Sequence, residues 1–210
     1  MRKNYFFQSL AGVLCLFQLF FSSCSPDLSV IKDGDIVFQN SETAQSKIIE
    51  SVTKAKFNQC GVVLSDSTGN LFVYEVQDTV TQIPLEDWVK KGTDKHFVVM
   101  RLKNANNILS KGILAKMKKI ASLQIGKPFD DQFNWDDSKI YCSELVYKIY
   151  YYTTGLELAT PTTLKSFDLS NDTLKKKLNE LYHGKIPLTE LCISPQQIVE
   201  SNMLEKILED

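Results

Sequence analysis

Among the residues able to do covalent chemistry, Cys142 has the most informative setting. It stands at the start of a predicted helix, Tyr141 to Tyr152, just after a polar, acidic stretch in which Asp136, Asp137 and Ser138 are N-cap candidates. A helix start offers unpaired backbone N–H groups and the positive end of the helix dipole. Both favour the thiolate, and the same N–H groups can hold an oxyanion. The competing reading is a small buried hydrophobe, because Leu145 and Ile149 share the Cys142 face. Position alone leaves these two readings balanced. The obvious partner for a thiol is an imidazole, and only His96 and His183 are present. His96 precedes a predicted strand and His183 precedes Gly184 in a predicted turn, so both read as surface residues.

The other cysteines narrow the chemistry further. Cys15, Cys24, Cys60, Cys142 and Cys192 make five, with no CxxC pair. Cys15 and Cys24 lie in the leader-like segment, and the remaining three are an odd number for a disulfide framework. A Cys60–Cys192 bridge stays open. With two histidines and no paired cysteines, a structural zinc site is not expected, and no cofactor is implied.

The elements that would position Cys142 form a meander. Short apolar runs predict strands at 35–39, 60–65, 71–76 and 97–102, with Thr79 to Ile83 extending the sheet. Asp66 to Asn70 is a hairpin loop by composition, and Cys60 should point away from any site containing Gln59, by strand alternation. Helices are predicted at 41–54, where Ala44, Ile48 and Val52 recur, at 85–90 after Pro84, and at 107–123. A polar helix at 171–182 and a final helix from Pro195 complete the reading. Strands in a meander with helices around them give an α+β class with an antiparallel sheet.

Residues 1–23 stand apart. Arg2 and Lys3 precede an apolar run from Leu10 to Phe21, too short for a confident membrane span. The run ends Phe21-Ser22-Ser23-Cys24, which resembles a lipobox, the processing site at which Cys24 would carry lipid. A plain signal peptide cleaved near Ser23 is the alternative. The expected organisation is a lipoprotein signal peptide at 1–23, a lipid-anchored tether at 24–32 and one domain at 33–210. The expected location is the bacterial cell envelope, outside the cytoplasm, with a membrane partner through the anchor. A net charge of −1 gives no basic footprint for nucleic acid.

Several segments together resemble the YiiX/YaeF-like permuted papain fold, related to NlpC/P60 hydrolases. They are Gly34 to Gln39, Phe57-Asn58-Gln59-Cys60-Gly61-Val62-Val63, Val73 to Val76, Ile83 to Trp88, Gly126-Lys127-Pro128-Phe129-Asp130-Asp131-Gln132-Phe133, Tyr141-Cys142-Ser143-Glu144-Leu145-Val146, and Ser194-Pro195. The resemblance implies a circularly permuted papain-like domain with its histidine first, on a strand, and its cysteine last, on a helix. It makes Cys142 the nucleophile and Glu75 the third, orienting residue. Tyr141 and Ser143 become candidates for the substrate or oxyanion site, although Tyr141 also reads as a half-buried aromatic and Glu75 as an ordinary strand glutamate.

The departure is Gln59, which occupies the histidine position of the resemblance. A neutral amide cannot take and return a proton near neutral pH. General acid–base assistance is typically worth about 10²–10⁴-fold in rate. Two functions are therefore expected from the resemblance. One is a thiol amidase or peptidase that forms a thioester on Cys142 with cell-wall peptide or N-acyl amide substrates. The other is a catalytically impaired homologue that binds a peptide or acyl ligand in the same cleft.

Overall fold

The structure is a computed structural model that describes residues 26–43, 46, 47, 50, 56–167, 169 and 172–210. The expected signal peptide, Cys24 and most of the helix expected at 41–54 lie outside the described residues. A six-stranded antiparallel sheet carries the fold. Its strands are β1 (Ile36–Gln39), β2 (Gln59–Ser65), β3 (Leu71–Val76), β4 (Val80–Pro84), β5 (Phe97–Leu102) and β8 (Leu204–Glu209), in the order β4-β3-β2-β1-β5-β8. A second, two-stranded ladder joins β6 (Thr162–Thr163) to β7 (Leu191–Cys192). The helices are α1 (Leu85–Lys91), α2 (Ala105–Ile108), α3 (Lys111–Gln124), α4 (Cys142–Thr154), α5 (Asp172–Leu181) and α6 (Pro195–Val199).

Strand alternation divides the core in two. Ile36, Phe38, Cys60, Val62, Leu64, Tyr74 and Val76 face the α4 side, where Cys142, Leu145, Val146 and Ile149 complete one apolar cluster with Met117 of α3. Val37, Val63, Val73 and Val99 face the other way and bury Leu85, Trp88 and Val89 of α1. Gly61 allows β2 and β3 to approach closely. A Cβ there would stand 2.5 Å from Val73 Cγ1 and 2.7 Å from the Tyr74 carbonyl oxygen.

Buried charge ties the strands together. The Arg101 guanidinium on β5 grips Asp35, just ahead of β1, with Nε and Nη2 each 2.7 Å from a carboxylate oxygen, and Nη2 also donates to the Val30 carbonyl. The 3-10 turn Leu28–Val30 and buried Ile31 lie inside the stretch expected to be tether.

Three local expectations are corrected. The helix expected at 107–123 is two helices, because the Ser110 side chain caps a new start at Lys111 by accepting from the Ile113 N–H. Asp136, Asp137 and Ser138 do not cap α4. Tyr141 is its N-cap residue, while Asp136 holds Ser138 and Asp137 holds Lys148. The chain beyond Pro195 is not one helix. α6 stops at Val199 and residues 204–209 form β8, which pairs with β5 across an irregularity at Val99/Met100. The sequence Leu-Glu-Lys-Ile-Leu-Glu has good helix formers, but the open edge of β5 supplies backbone partners that override that weak preference.

Candidate active site

The Gly126–Asp130 stretch sets the position of the α4 start. α3 ends as Gly126 takes a φ of +85°, a left-handed turn suited to glycine. The chain then lies along the start of β4, with the Val80 N–H donating to the Lys127 carbonyl and the Phe129 N–H to that of Asp78. The Ile140 N–H donates to the Pro128 carbonyl and the Asp130 N–H to that of Ile140. These bonds pin residue 140, two positions before the cysteine.

Cys142 is the first residue of α4. The groups that act on its thiol are the Cys60 thiol and the backbone N–H groups of Cys60 and Ser143. The Cys60 thiol contact is the largest influence pulling the Cys142 thiol below its ordinary value. Burial opposes it, and the two N–H groups add to it. Cys60 responds in the opposite sense: burial first, and then its bond to Cys142, push it well up. The expectation that Cys60 points away is therefore corrected. Alternation between Gln59 and Cys60 holds, but α4 packs on the Cys60 face of the sheet.

Gln59, the first residue of β2, reaches across to β3. Its Nε2 donates to Glu75 Oε2 at 2.8 Å and to the Val76 carbonyl at 2.9 Å. Glu75 is completely buried and accepts two further bonds, from Trp88 Nε1 at 2.8 Å and from Gln77 Nε2 at 2.9 Å. An imidazole at position 59 would use an N–H for the same bond to Glu75, so the glutamine preserves the orienting contact without the proton exchange.

The Tyr141 and Ser143 side chains do other work. The Tyr141 hydroxyl accepts from the Ile193 N–H at 3.1 Å, and Ser143 Oγ donates to the Ile193 carbonyl at 2.8 Å. Together they clamp the backbone leading from β7 into α6. Ser194 follows as the α6 N-cap residue, and Gln197 closes a capping box on it. Ser143 thus reaches the sulfur through its backbone, not its hydroxyl.

Cys142 is only 1% exposed, so its sulfur sits inside the apolar cluster and does not line the open cleft expected from the sequence. Cavities of about 530, 400 and 310 Å³ lie elsewhere, the last lined by Trp135, Tyr147, Tyr151 and Tyr152. Neither histidine substitutes at the sulfur. His96 stacks on Phe57 and turns Nδ1 to the Asp210 carbonyl, and His183 is exposed. Cys60, Cys142 and Cys192 are free thiols; Cys192 bonds the Thr162 carbonyl, and burial pushes it up to about 12. Trp88, Gln77 and the Cys60 contact escaped the sequence reading. Trp88 lies within a segment quoted for the resemblance, but spacing alone does not show that its indole reaches Glu75.

Residues 30–208 match the family model described as permuted papain-like amidase enzyme, YaeF/YiiX, C92 family. The chain belongs to this family. A curated relative, the uncharacterized protein YiiX of Escherichia coli (strain K12), is 32% identical over 177 residues, which span 84% of this chain and 86% of the relative. The crystal structure of a metalloprotein yiiX from Escherichia coli O157:H7 superposes with a TM-score of 0.79 at 34% identity, covering 85% of this chain and 97% of the other. The permuted papain-like fold of this C92 chain is thus shared with a solved relative. Among its described residues, no group of three or more His, Cys, Asp or Glu side chains is placed to hold a metal ion.

Proposed function

We propose that this chain is an envelope-anchored C92 homologue that accepts an acyl group from a small amide on Cys142 and lacks the proton shuttle for efficient turnover. The observation that carries this reading is the bond from Gln59 Nε2 to Glu75 Oε2, which fills the orienting contact with an amide. The sulfur keeps a thiol held below its ordinary value at a helix start, with the Cys60 thiol and the Cys60 and Ser143 N–H groups favouring the thiolate. Thioester formation joins the sulfur to the acyl carbon and expels an amine that must gain a proton. In the resemblance a histidine at position 59 would deliver that proton; Gln59 cannot, and it is engaged with Glu75 and the Val76 carbonyl on the sheet face opposite Cys60. The substrate class is a peptide of the cell wall or an N-acyl amide. The lipobox-like Cys24 would hold the domain at a membrane surface outside the cytoplasm.

The test compares the native chain, Gln59→His and Cys142→Ser on a panel of N-acyl amides and D-Glu-containing peptides. We expect Gln59→His to raise hydrolysis by about 10²–10⁴-fold and Cys142→Ser to abolish it in either background. Native turnover equal to that of Gln59→His would overturn the reading. The second reading, a pure binding module for the same ligands, is favoured by the burial of Cys142. It would be supported if Gln59→His gained no activity while the ligand still bound.

A further inference from the structure

Charge is unevenly spread along this chain. Its formal net charge is −1, yet the stretch from Lys103 to Phe129 holds six lysines and no carboxylate. Four of the six lie on α3. The inner face of this helix buries Met117 and Ala121 in the cluster beside α4. Its outer face exposes Lys111, Lys116 and Lys119, and Leu123 follows Lys116 and Lys119 at the helical spacing that puts all three in line. Lys118 turns elsewhere, to Asp33 at 3.3 Å and to Ser65 Oγ at 2.7 Å, which ties the segment before β1 to α3. Among the described residues no carboxylate pairs with Lys111, Lys116 or Lys119. At the C-terminal end of α3 two large apolar side chains face water, Leu123 at 68% and Ile125 at 45% exposure.

We propose that the outer face of α3 docks on an anionic lipid surface and sets the orientation of the domain on the membrane that holds it. The proposal rests on the envelope-anchored reading and not on the chemistry of Cys142. Unpaired cations beside exposed apolar tips are the two properties of an interfacial segment: the lysines meet headgroups, and Leu123 and Ile125 enter the acyl boundary. A soluble polyanion would engage the lysines and leave both apolar tips in water. Cys24 is four residues from the turn at Leu28, a span of at most about 14 Å, so a lipid on Cys24 would keep the domain near the headgroups. Each lysine at an anionic surface is worth about fivefold in partitioning. Three of them strengthen an anchor without replacing it.

The test mixes the full chain at low salt with vesicles of phosphatidylglycerol and phosphatidylethanolamine, or of phosphatidylcholine alone, and maps the labelling of each lysine by an amine-reactive ester. On phosphatidylglycerol vesicles we expect Lys111, Lys116 and Lys119 to react several-fold more slowly. Lys90 of α1, exposed on the opposite side of the sheet, should react as it does in solution. The protection should vanish on phosphatidylcholine and in about 1 M salt, where the screening length falls to about 3 Å. Leu123→Trp reports on the apolar tip. Its emission should shift to the blue on phosphatidylglycerol vesicles, and replacing the three lysines by Gln should weaken that partitioning by roughly 10²-fold at an unchanged unfolding midpoint. Equal labelling with and without vesicles would overturn the proposal, as would protection that phosphatidylcholine matches. Protection by a DNA duplex as strong as by vesicles, with the Leu123→Trp emission unmoved on lipid, would overturn it in favour of a soluble polyanion. Fractionation of Cys24→Ala reads the anchor and lysine labelling reads the face, so the two can fail separately.

Discussion

At position 59 the amide donates to the Glu75 carboxylate and the Val76 carbonyl. The Glu75 carboxylate gathers donors from Gln59, Gln77 and Trp88 with no exposure to water. Its removal leaves buried donors unsatisfied, each of which costs on the order of 1–3 kcal/mol. Glu75→Ala is expected to lose at least about 3 kcal/mol in urea unfolding, by the same penalty summed over its partners. A loss within the range of an ordinary surface substitution would show that the carboxylate is not the hub described. Cys142, Glu75 and Gln59 stand out in the sequence because each sits inside a short motif. What touches Cys142 was not. Period-two alternation separates Gln59 from Cys60 but does not say which sheet face α4 will cover, and that choice depends on side chains far along the chain, such as Leu145 and Met117.

Single elements show the same limit. β3 and β5 match their expected bounds because both are apolar runs flanked by polar turns. β8 carries no strand signal of its own, since its strand character comes from the partner edge of β5. The start of α4 was legible, but its cap was not, since Asp136 and Asp137 are drawn off by Ser138 and Lys148. The junction of β1 and β5 makes a sharper test. Asp35 is 1% exposed and burial raises its carboxyl, with Arg101 pulling the other way. Arg101→Ala strands that buried charge, and breaking such a pair typically costs about 3–5 kcal/mol. The expected readout is a fall of that size in unfolding free energy. A double variant, Asp35→Asn with Arg101→Ala, should recover part of it. No recovery would contradict the pairing.

At the scale of the whole molecule, a buried ionisation reports on stability. Glu144 is fully buried on α4, 2.7 Å from the Lys148 amine, which also binds the Asp136 carbonyl and the Asp137 carboxylate. Burial raises Glu144 from 4.5 to about 7, against the pull of Lys148. The folded chain therefore holds this proton more tightly than the unfolded chain. The associated stability is present below pH 4.5 and is lost as the pH rises through about 7. Glu144→Gln should flatten the pH dependence of unfolding across that window, and an unchanged slope would place the titration elsewhere. At the same scale, Cys24→Ala is expected to move the protein from the membrane fraction to the soluble fraction if the lipobox-like segment is processed. Continued membrane association would contradict the anchor.

The acyl-transfer account turns on whether residue 59 can exchange a proton for Cys142. The most direct measurement is the rate of iodoacetamide alkylation of Cys142 against pH, in the native chain and in Gln59→His. We expect slow alkylation of the native chain, with no inflection in the imidazole range near pH 6.5, and a faster rate with such an inflection in Gln59→His. Rapid alkylation of the native chain near neutral pH, lost when His96 or His183 is replaced, would contradict the account.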